Sequence, residues 1–167
     1  HPKLDTLINI VDKEKVTFFG VGAKYLDHLK QNNFNAINKY KLENLKTIAS
    51  TGSPLIHETF DYVYKNLKKN IHLASISGGT DIVSCFVLGN PLLPVYSGEI
   101  QCAGLGMDID VFDQNGKSTK SKTGELVCKS TFPSKPIYFW KDPGNKKYKQ
   151  AYFNKYKNIW HHGDFCK

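Results

Sequence analysis

The sequence predicts an α/β fold in which strand-helix repeats give way to a β-meander. Three observations lead there. Apolar, β-leaning runs in the first half stop at glycine-containing turns and are followed by helical periodicity. One of them, residues 71–76, ends abruptly at Ser77-Gly78-Gly79-Thr80-Asp81, where two glycines precede a hydroxyl and a carboxylate. Beyond it, Met107, Ile109 and Val111 alternate with Asp108, Asp110 and Phe112, the period-two signature of a strand with two distinct faces.

Taken in order, Val16-Thr17-Phe18-Phe19 reads as a strand. Gly20-Val21-Gly22 is expected to break it before a helix carrying Tyr25, Leu26 and Leu29 on its apolar face. Residues 32–44 are polar and asparagine-rich, a surface connection, after which residues 45–51 head inward again. Ser50-Thr51-Gly52-Ser53-Pro54-Leu55 marks the next turn. Ser53 suits the N-cap and Pro54 the first position of a helix whose Phe60, Val63, Tyr64 and Leu67 recur at i, i+3, i+4 and i+7. Residues 95–112 read as β structure, Asp113-Gln114-Asn115-Gly116 as a turn and residues 123–130 as a strand. Residues 98–130 are therefore expected to form an architectural meander without a catalytic cluster of its own. A lysine- and tyrosine-rich stretch then leads to Ile159-Trp160-His161-His162-Gly163-Asp164-Phe165.

Composition narrows the function classes. With 167 residues, 40% hydrophobic and 13% aromatic, the chain suits one domain or part of a larger one and can bury a sizeable core. The formal net charge of +8 is carried by lysines alone. Without arginine's planar fork, which makes most base and bidentate phosphate contacts, specific nucleic-acid recognition is not expected. Cys85, Cys102, Cys128 and Cys166 are far apart and lack zinc-site spacing, so reduced thiols are the expectation. Residues 1–10 lack the plan of a secretory signal, no apolar run approaches membrane-spanning length, and no N-x-S/T acceptor occurs. A soluble cytosolic protein with no membrane partner is expected.

Several sites can be weighed by spacing alone. Ser-Ile-Ser-Gly-Gly has the wrong spacing for a G-x-S-x-G nucleophile elbow, and neither a Walker phosphate loop nor G-x-G-x-x-G occurs. His57, Glu58 and Asp61 fall at helical spacing but lack H-E-x-x-H, the pattern of a solvated helix face. Adjacent His161 and His162 on a strand point to opposite faces and make a poor pair of ligands for one metal. Asp164, exposed at a strand end by the Gly163 turn, can accept two hydrogen bonds from a vicinal diol, each worth about 1.5 to 3 kcal/mol. The plain alternatives are an Asp turn here, a helix start at Ser53-Pro54, and a capped turn at Thr80-Asp81.

The joint order of S-T-G-S-P-L, S-G-G-T-D, a G-E-L strand and H-G-D-F resembles the acyl-adenylate-forming family that includes acyl-CoA synthetases, nonribosomal adenylation domains and luciferases. V-T-F-F-G-V-G-A-K-Y-L and S-I-S-G-G-T-D-I extend the likeness to nearly the whole chain. The resemblance implies adenine beside Gly52, Ser53 and Pro54 and near the backbone of Ser77, Gly78 and Gly79. It also implies a phosphate at Thr80, Mg2+ at Asp81 and ribose at Asp164. Thr51, Gly78 and Gly79 would line the acyl pocket, because acetyl-specific members carry a tryptophan where Gly78 stands.

Departures are Asp81 for the usual Glu, Ala23 for a frequent Pro, and Trp160-His161-His162 for Tyr-Arg-Thr. The family's phosphate loop and its C-terminal lysine domain have no counterpart in residues 1–167, nor does its catalytic lysine. The chain is thus expected to be a partial N-terminal AMP-dependent synthetase/ligase domain, inactive alone. The implied activity is an ATP- and CoA-using ligase for a short acid, acetoacetate first and acetate or propionate as alternatives. A non-catalytic nucleotide-binding or interaction module is the remaining possibility.

Overall fold

The structure is a computed structural model and describes residues 3–167; His1 and Pro2, the first of the residues searched for a secretory signal, lie outside the described residues. Two compact units divide the chain. One contains the described residues up to Ser77 together with Val87–Cys102, and the other Gly78–Phe86 together with Ala103–Lys167.

The first unit is built on a parallel sheet of β1 (Phe18–Gly22), β2 (Thr47–Thr51) and β3 (His72–Ser75), in the order β1-β2-β3. Helix α1 (Thr6–Lys13) precedes the sheet, and α2 (Ala23–Gln31) and α3 (His57–Tyr62) are the crossovers. Right-handed crossovers along a sheet that grows in one direction put both helices on the same face. Phe19, Val21, Ile48 and Leu73 on that face meet Leu26 and Leu29 of α2 and Phe60 of α3, all three of these helical residues fully buried. The two crossover helices are also joined by Thr59, which donates to Asp27 and accepts from Lys30 Nζ at 2.8 Å.

Gly20 and Gly22 do not break β1 as expected from sequence. They lie in the strand, in register with Ala49 and Thr51 of β2, and α2 begins at the next residue. The strand survives because each glycine keeps an extended backbone whose amides the parallel ladder can pair. Helix α3 also starts later than Ser53-Pro54 predicts. Its N-cap is Ile56, without a side-chain cap, so Ser53 and Pro54 belong to the loop after β2. Burial of Leu55, 4% exposed, carries the chain inward before it can turn into the helix. The predicted apolar face holds: Phe60, Val63 and Leu67 are buried, with residues Val63–Leu67 wound as a π-helical turn closed by the Lys68 amide on the Val63 carbonyl at 3.0 Å.

The sheet's other face carries small residues, including Gly20, Ala49 and Ala74, and is overlaid in part by the segment from Gly89 to Gln101. Gln101 fixes that segment. Its Oε1 accepts from the Asn90 amide at 3.0 Å and faces His72 Nε2 at 2.7 Å, while its Nε2 donates to the Asn90 and Leu93 carbonyls, both at 2.9 Å. With these contacts residues 95–101 lie outside any strand, and of the β structure expected over residues 95–112 only Cys102–Ala103 and Ile109–Phe112 form strands.

Strands β4 (Ser77–Gly79), β5 (Ser84–Leu88) and β6 (Cys102–Ala103) form a small sheet, and the points where the chain passes between the units lie at these strands. The second unit is otherwise an antiparallel sheet of β7 (Ile109–Phe112), β8 (Gly124–Cys128) and β9 (Trp160–Cys166) in the order β7-β8-β9; β7 and β8 pair within the meander expected over residues 98–130, but the third strand, β9, comes from outside that range. The Asp113 turn forms as expected, its Oδ1 accepting from the Asn115 and Lys117 amides at 2.8 and 2.9 Å.

Helix α4 (Lys146–Tyr152) lies before β9, and its first amides are met from outside the helix. Asp142 accepts from the Lys147 amide at 3.0 Å and the Tyr148 amide at 2.9 Å. Burial pushes the Asp142 carboxyl up, but these amides outweigh it and hold the group below the usual carboxylate range.

Candidate functional site

In the first unit the predicted residues collect at the carboxyl ends of neighbouring parallel strands, where ligands of open α/β sheets bind. Thr51 ends β2 and Gly52, Ser53 and Pro54 follow it; Ser77 lies just past the end of β3, in β4. The two strand ends are adjacent, with Ser50 opposite Ser75 and the Ile76 amide donating to the Ser50 carbonyl at 2.9 Å. Thr51, Gly52 and Pro54 are exposed. Ser50 Oγ is buried and has no hydrogen-bond partner among the described residues.

In the second unit Gly78 and Gly79 are not the turn that the sequence predicts. Both lie in β4, and the chain reverses over residues 80–83, with the left-handed conformation at Val83 (φ 50°). Close approach is what demands glycine at 78. A Cβ there would fall 2.2 Å from the Ser84 carbonyl oxygen and 2.6 Å from Cys85 Cα, both backbone atoms of β5. Thr80 and Asp81 are exposed on the reversal itself.

Asp81 is held at both oxygens. Its Oδ1 accepts from the Ile82 amide at 3.1 Å and its Oδ2 from the Tyr152 hydroxyl. Burial, and after it the bond to Asp81, pushes the Tyr152 hydroxyl far above the ordinary phenol value, so it remains a donor. The Tyr152 ring stacks on Trp160 with centroids 3.7 Å apart and planes 13° from parallel. Trp160, 2% exposed, also meets Phe86, Phe132, Tyr148 and Phe153, and its Nε1 donates to His162 Nδ1 at 3.4 Å. His162 reaches the same place from β9: a Cβ on Gly79 would lie 2.7 Å from its Cε1.

Asp164 departs from the expected strand end. It lies inside β9, in a bulge. Glu125 pairs with Phe165 and Val127 with His161, so two steps along β8 span four along β9 and His162, Gly163 and Asp164 are pushed out of the ladder. Gly163 takes φ 86°, a conformation side chains rarely adopt, and this lets the exposed Asp164 project from the bulge. The two histidines part as predicted, for His161 turns away from the Trp160 group to Glu125.

That second group was not legible in the sequence. Glu125, 4% exposed near the start of β8, meets His161 Nδ1 at 3.1 Å, the Lys155 ammonium and the Tyr156 hydroxyl at 3.5 Å. His161 Nε2 faces Asn154 Oδ1 at 2.8 Å. The meander, expected to be purely architectural, thus buries a carboxylate beside β9. A glutamate in the apolar run Gly124-Glu125-Leu126-Val127-Cys128 was the available signal, since a buried charge demands partners.

The four cysteines are free, and burial raises the thiols of Cys85, Cys128 and Cys166. Among the described residues no helix is long and apolar enough to cross a membrane.

Comparison with known proteins gives a specific likeness. No family model matches the chain. Over 99% of its length the chain is 48% identical to acetoacetyl-coenzyme A synthetase of Rhizobium meliloti (strain 1021), and it covers 25% of that protein. The solved structure of acetoacetyl-CoA synthetase from Streptomyces lividans matches 98% of the chain at a TM-score of 0.90 and 35% identity, with 26% of that structure covered. The anthranilate CoA ligase AuaEII, crystallised with anthranoyl-AMP, shares the fold at a TM-score of 0.78 and 14% identity over 98% of the chain and 29% of its own. The chain spans about a quarter of the length of the curated relatives it matches.

Proposed function

We infer that this chain, a homologue along its whole length of one segment of the acetoacetyl-CoA synthetases, is part of an ATP-dependent acid:CoA ligase that activates acetoacetate. The observation that carries the reading is 48% identity over 99% of the chain. It takes in every ordered motif that the sequence displays. The reaction joins the acid to the α-phosphate of ATP with loss of pyrophosphate, and the acyl group then passes to CoA with release of AMP.

Within the first unit, Gly52, Ser53, Pro54 and Ser77 are the residues proposed for the adenine, and their position at parallel strand ends supports this. Thr51 is proposed for the acyl group. Within the second unit, the backbone of Gly78 and Gly79 is assigned to nucleotide and acyl contacts, the Thr80 hydroxyl to a phosphate oxygen, and the Asp164 carboxylate to the ribose diol. The bulge at Gly163 supports the last assignment, because it carries Asp164 out of the ladder.

Mg2+ fits Asp81 in one mode only. It keeps several waters and takes one or two carboxylates with substrate phosphates. The described residues hold no group of three or more His, Cys, Asp or Glu able to cage an ion, whereas Asp81 is a single exposed carboxylate already oriented by two donors. When bound with the nucleotide, the ion neutralises charge that grows on the α-phosphate. The lysines of the phosphate loop and C-terminal domain belong, in this reading, to segments outside residues 1–167. Four free cysteines support a cytosolic setting.

The two carboxylates are expected to fail differently in the full-length ligase. Asp81→Asn should impair adenylation through the metal, with activity partly restored by raising Mg2+. Asp164→Ala should raise the KM for ATP by about tenfold or more, since hydrogen bonds to a charged group are worth about 1.5 to 3 kcal/mol each, and Mg2+ should not restore it. Pyrophosphate exchange across a Mg2+ series checks this, and equal restoration of both variants would contradict the assigned roles.

A further inference from the structure

We propose that Tyr152 is a positioning residue for Asp81, holding that carboxylate for a nucleotide-borne divalent cation; the inference rests on the ligase reading above. The structure gives it three supports, all within the second unit. The Tyr152 hydroxyl donates to Asp81 Oδ2 while the Ile82 amide takes Oδ1 at 3.1 Å, so the carboxylate cannot swing freely although it is exposed. The Tyr152 ring is fixed by stacking on Trp160 at 3.7 Å, and Trp160 is itself 2% exposed. Tyr152 lies at the C-terminal end of α4, 71 residues from Asp81 in sequence, so this contact is made by the fold and not by the local turn.

The chemistry is that of an oriented ligand. An ionised carboxylate offers about four lone-pair positions, so two donors leave acceptor capacity for a metal while removing the rotational freedom that binding would otherwise have to freeze. Groups hydrogen-bonded to a ligating carboxylate typically change metal affinity by about 10–100-fold when removed. Trp160 begins β9, the strand that carries Asp164 in its bulge, so the same ring ties the support of Asp81 to the strand bearing the proposed ribose ligand.

The test uses the full-length protein, Mn2+ as probe and a non-hydrolysable ATP analogue, with free Mn2+ read from its electron paramagnetic resonance signal. Tyr152→Phe keeps the stacked ring and removes only the hydroxyl. It is expected to weaken Mn2+ binding in the ternary complex about tenfold. In pyrophosphate exchange it should raise the Mg2+ concentration needed for half-maximal rate by a similar factor, with the loss recovered as Mg2+ rises. Added to Asp81→Asn, the same substitution should have little further effect on either reading. A Tyr152→Leu variant, with its thermal midpoint, separates loss of the ring from loss of the hydroxyl.

Unchanged Mn2+ affinity in Tyr152→Phe overturns the proposal, as does full additivity with Asp81→Asn or the absence of Mn2+ binding by the unsubstituted protein. The two readings fail separately. A protein that exchanges pyrophosphate with acetoacetate but binds Mn2+ equally well as Tyr152→Phe refutes the role of Tyr152 alone. One that shows the Mn2+ effect without acetoacetate-dependent exchange refutes the substrate and leaves the role of Tyr152 standing.

Discussion

Trp160→Ala is expected to destabilise the second unit by about 3–5 kcal/mol, the range for truncating a fully buried large aromatic. Trp160 is 2% exposed and takes ring contacts from Phe86, Phe132, Tyr148, Tyr152, Phe153 and His162. Those six come from β5, the loop after β8, α4, the residue following α4 and β9 itself, so no single shift can close the space left behind. Trp160→Phe, which keeps part of the ring, should cost much less. Denaturant unfolding followed by near-ultraviolet circular dichroism reads both, and a loss below about 1 kcal/mol for the alanine variant would show that Trp160 is not the centre of this core.

Gly78→Ala is expected to cost roughly 1–3 kcal/mol, the range for forcing an extra carbon into a packed interior. The atoms it meets, Ser84 O at 2.2 Å and Cys85 Cα at 2.6 Å, are backbone, so β4 and β5 must part for the methyl to fit. Gly20→Ala is the control. Its Cβ would find only Phe18 Cε1, at 3.8 Å, and its effect should stay within about 1 kcal/mol. Equal unfolding midpoints for the two variants would contradict the close approach.

The fold class and the strand-helix order between residues 16 and 76 were legible in the sequence, because each rests on local periodicity, whereas α1, β4 and β5 were not read from it. The apolar face of Phe60, Val63 and Leu67 and the alternation around Ile109 needed only neighbours in sequence to be recognised. Punctuation by glycine misled at three places. Gly20 and Gly22 stay in a parallel ladder, Gly78 and Gly79 are in β4, and Gly163 turns the chain within a strand. A glycine in sequence does not say why it is there: at Gly78 a close backbone contact demands it and at Gly163 a positive φ does, whereas Gly20 and Gly22 have room for a Cβ.

The candidate site divides in the same way. Asp81 and Asp164 stand out in sequence because a glycine and a hydroxyl or histidine adjoin them. Tyr152 does not, since its meaning depends on Asp81, 71 residues away; Glu125 shows in sequence only as a charge in an apolar run, and its partner His161, 36 residues on, is supplied by the fold.

Acetoacetate-dependent exchange of pyrophosphate into ATP, measured on the full-length protein with Mg2+, is the most direct measurement of what this chain is for. Exchange is predicted to be strong with acetoacetate, weaker with acetate and negligible without acid. Residues 1–167 alone are predicted to give none, because positioning of the triphosphate falls to groups that this reading places outside them. Exchange by the full-length protein no greater with acetoacetate than in the acid-free control, or clear exchange by residues 1–167 alone, would contradict the account.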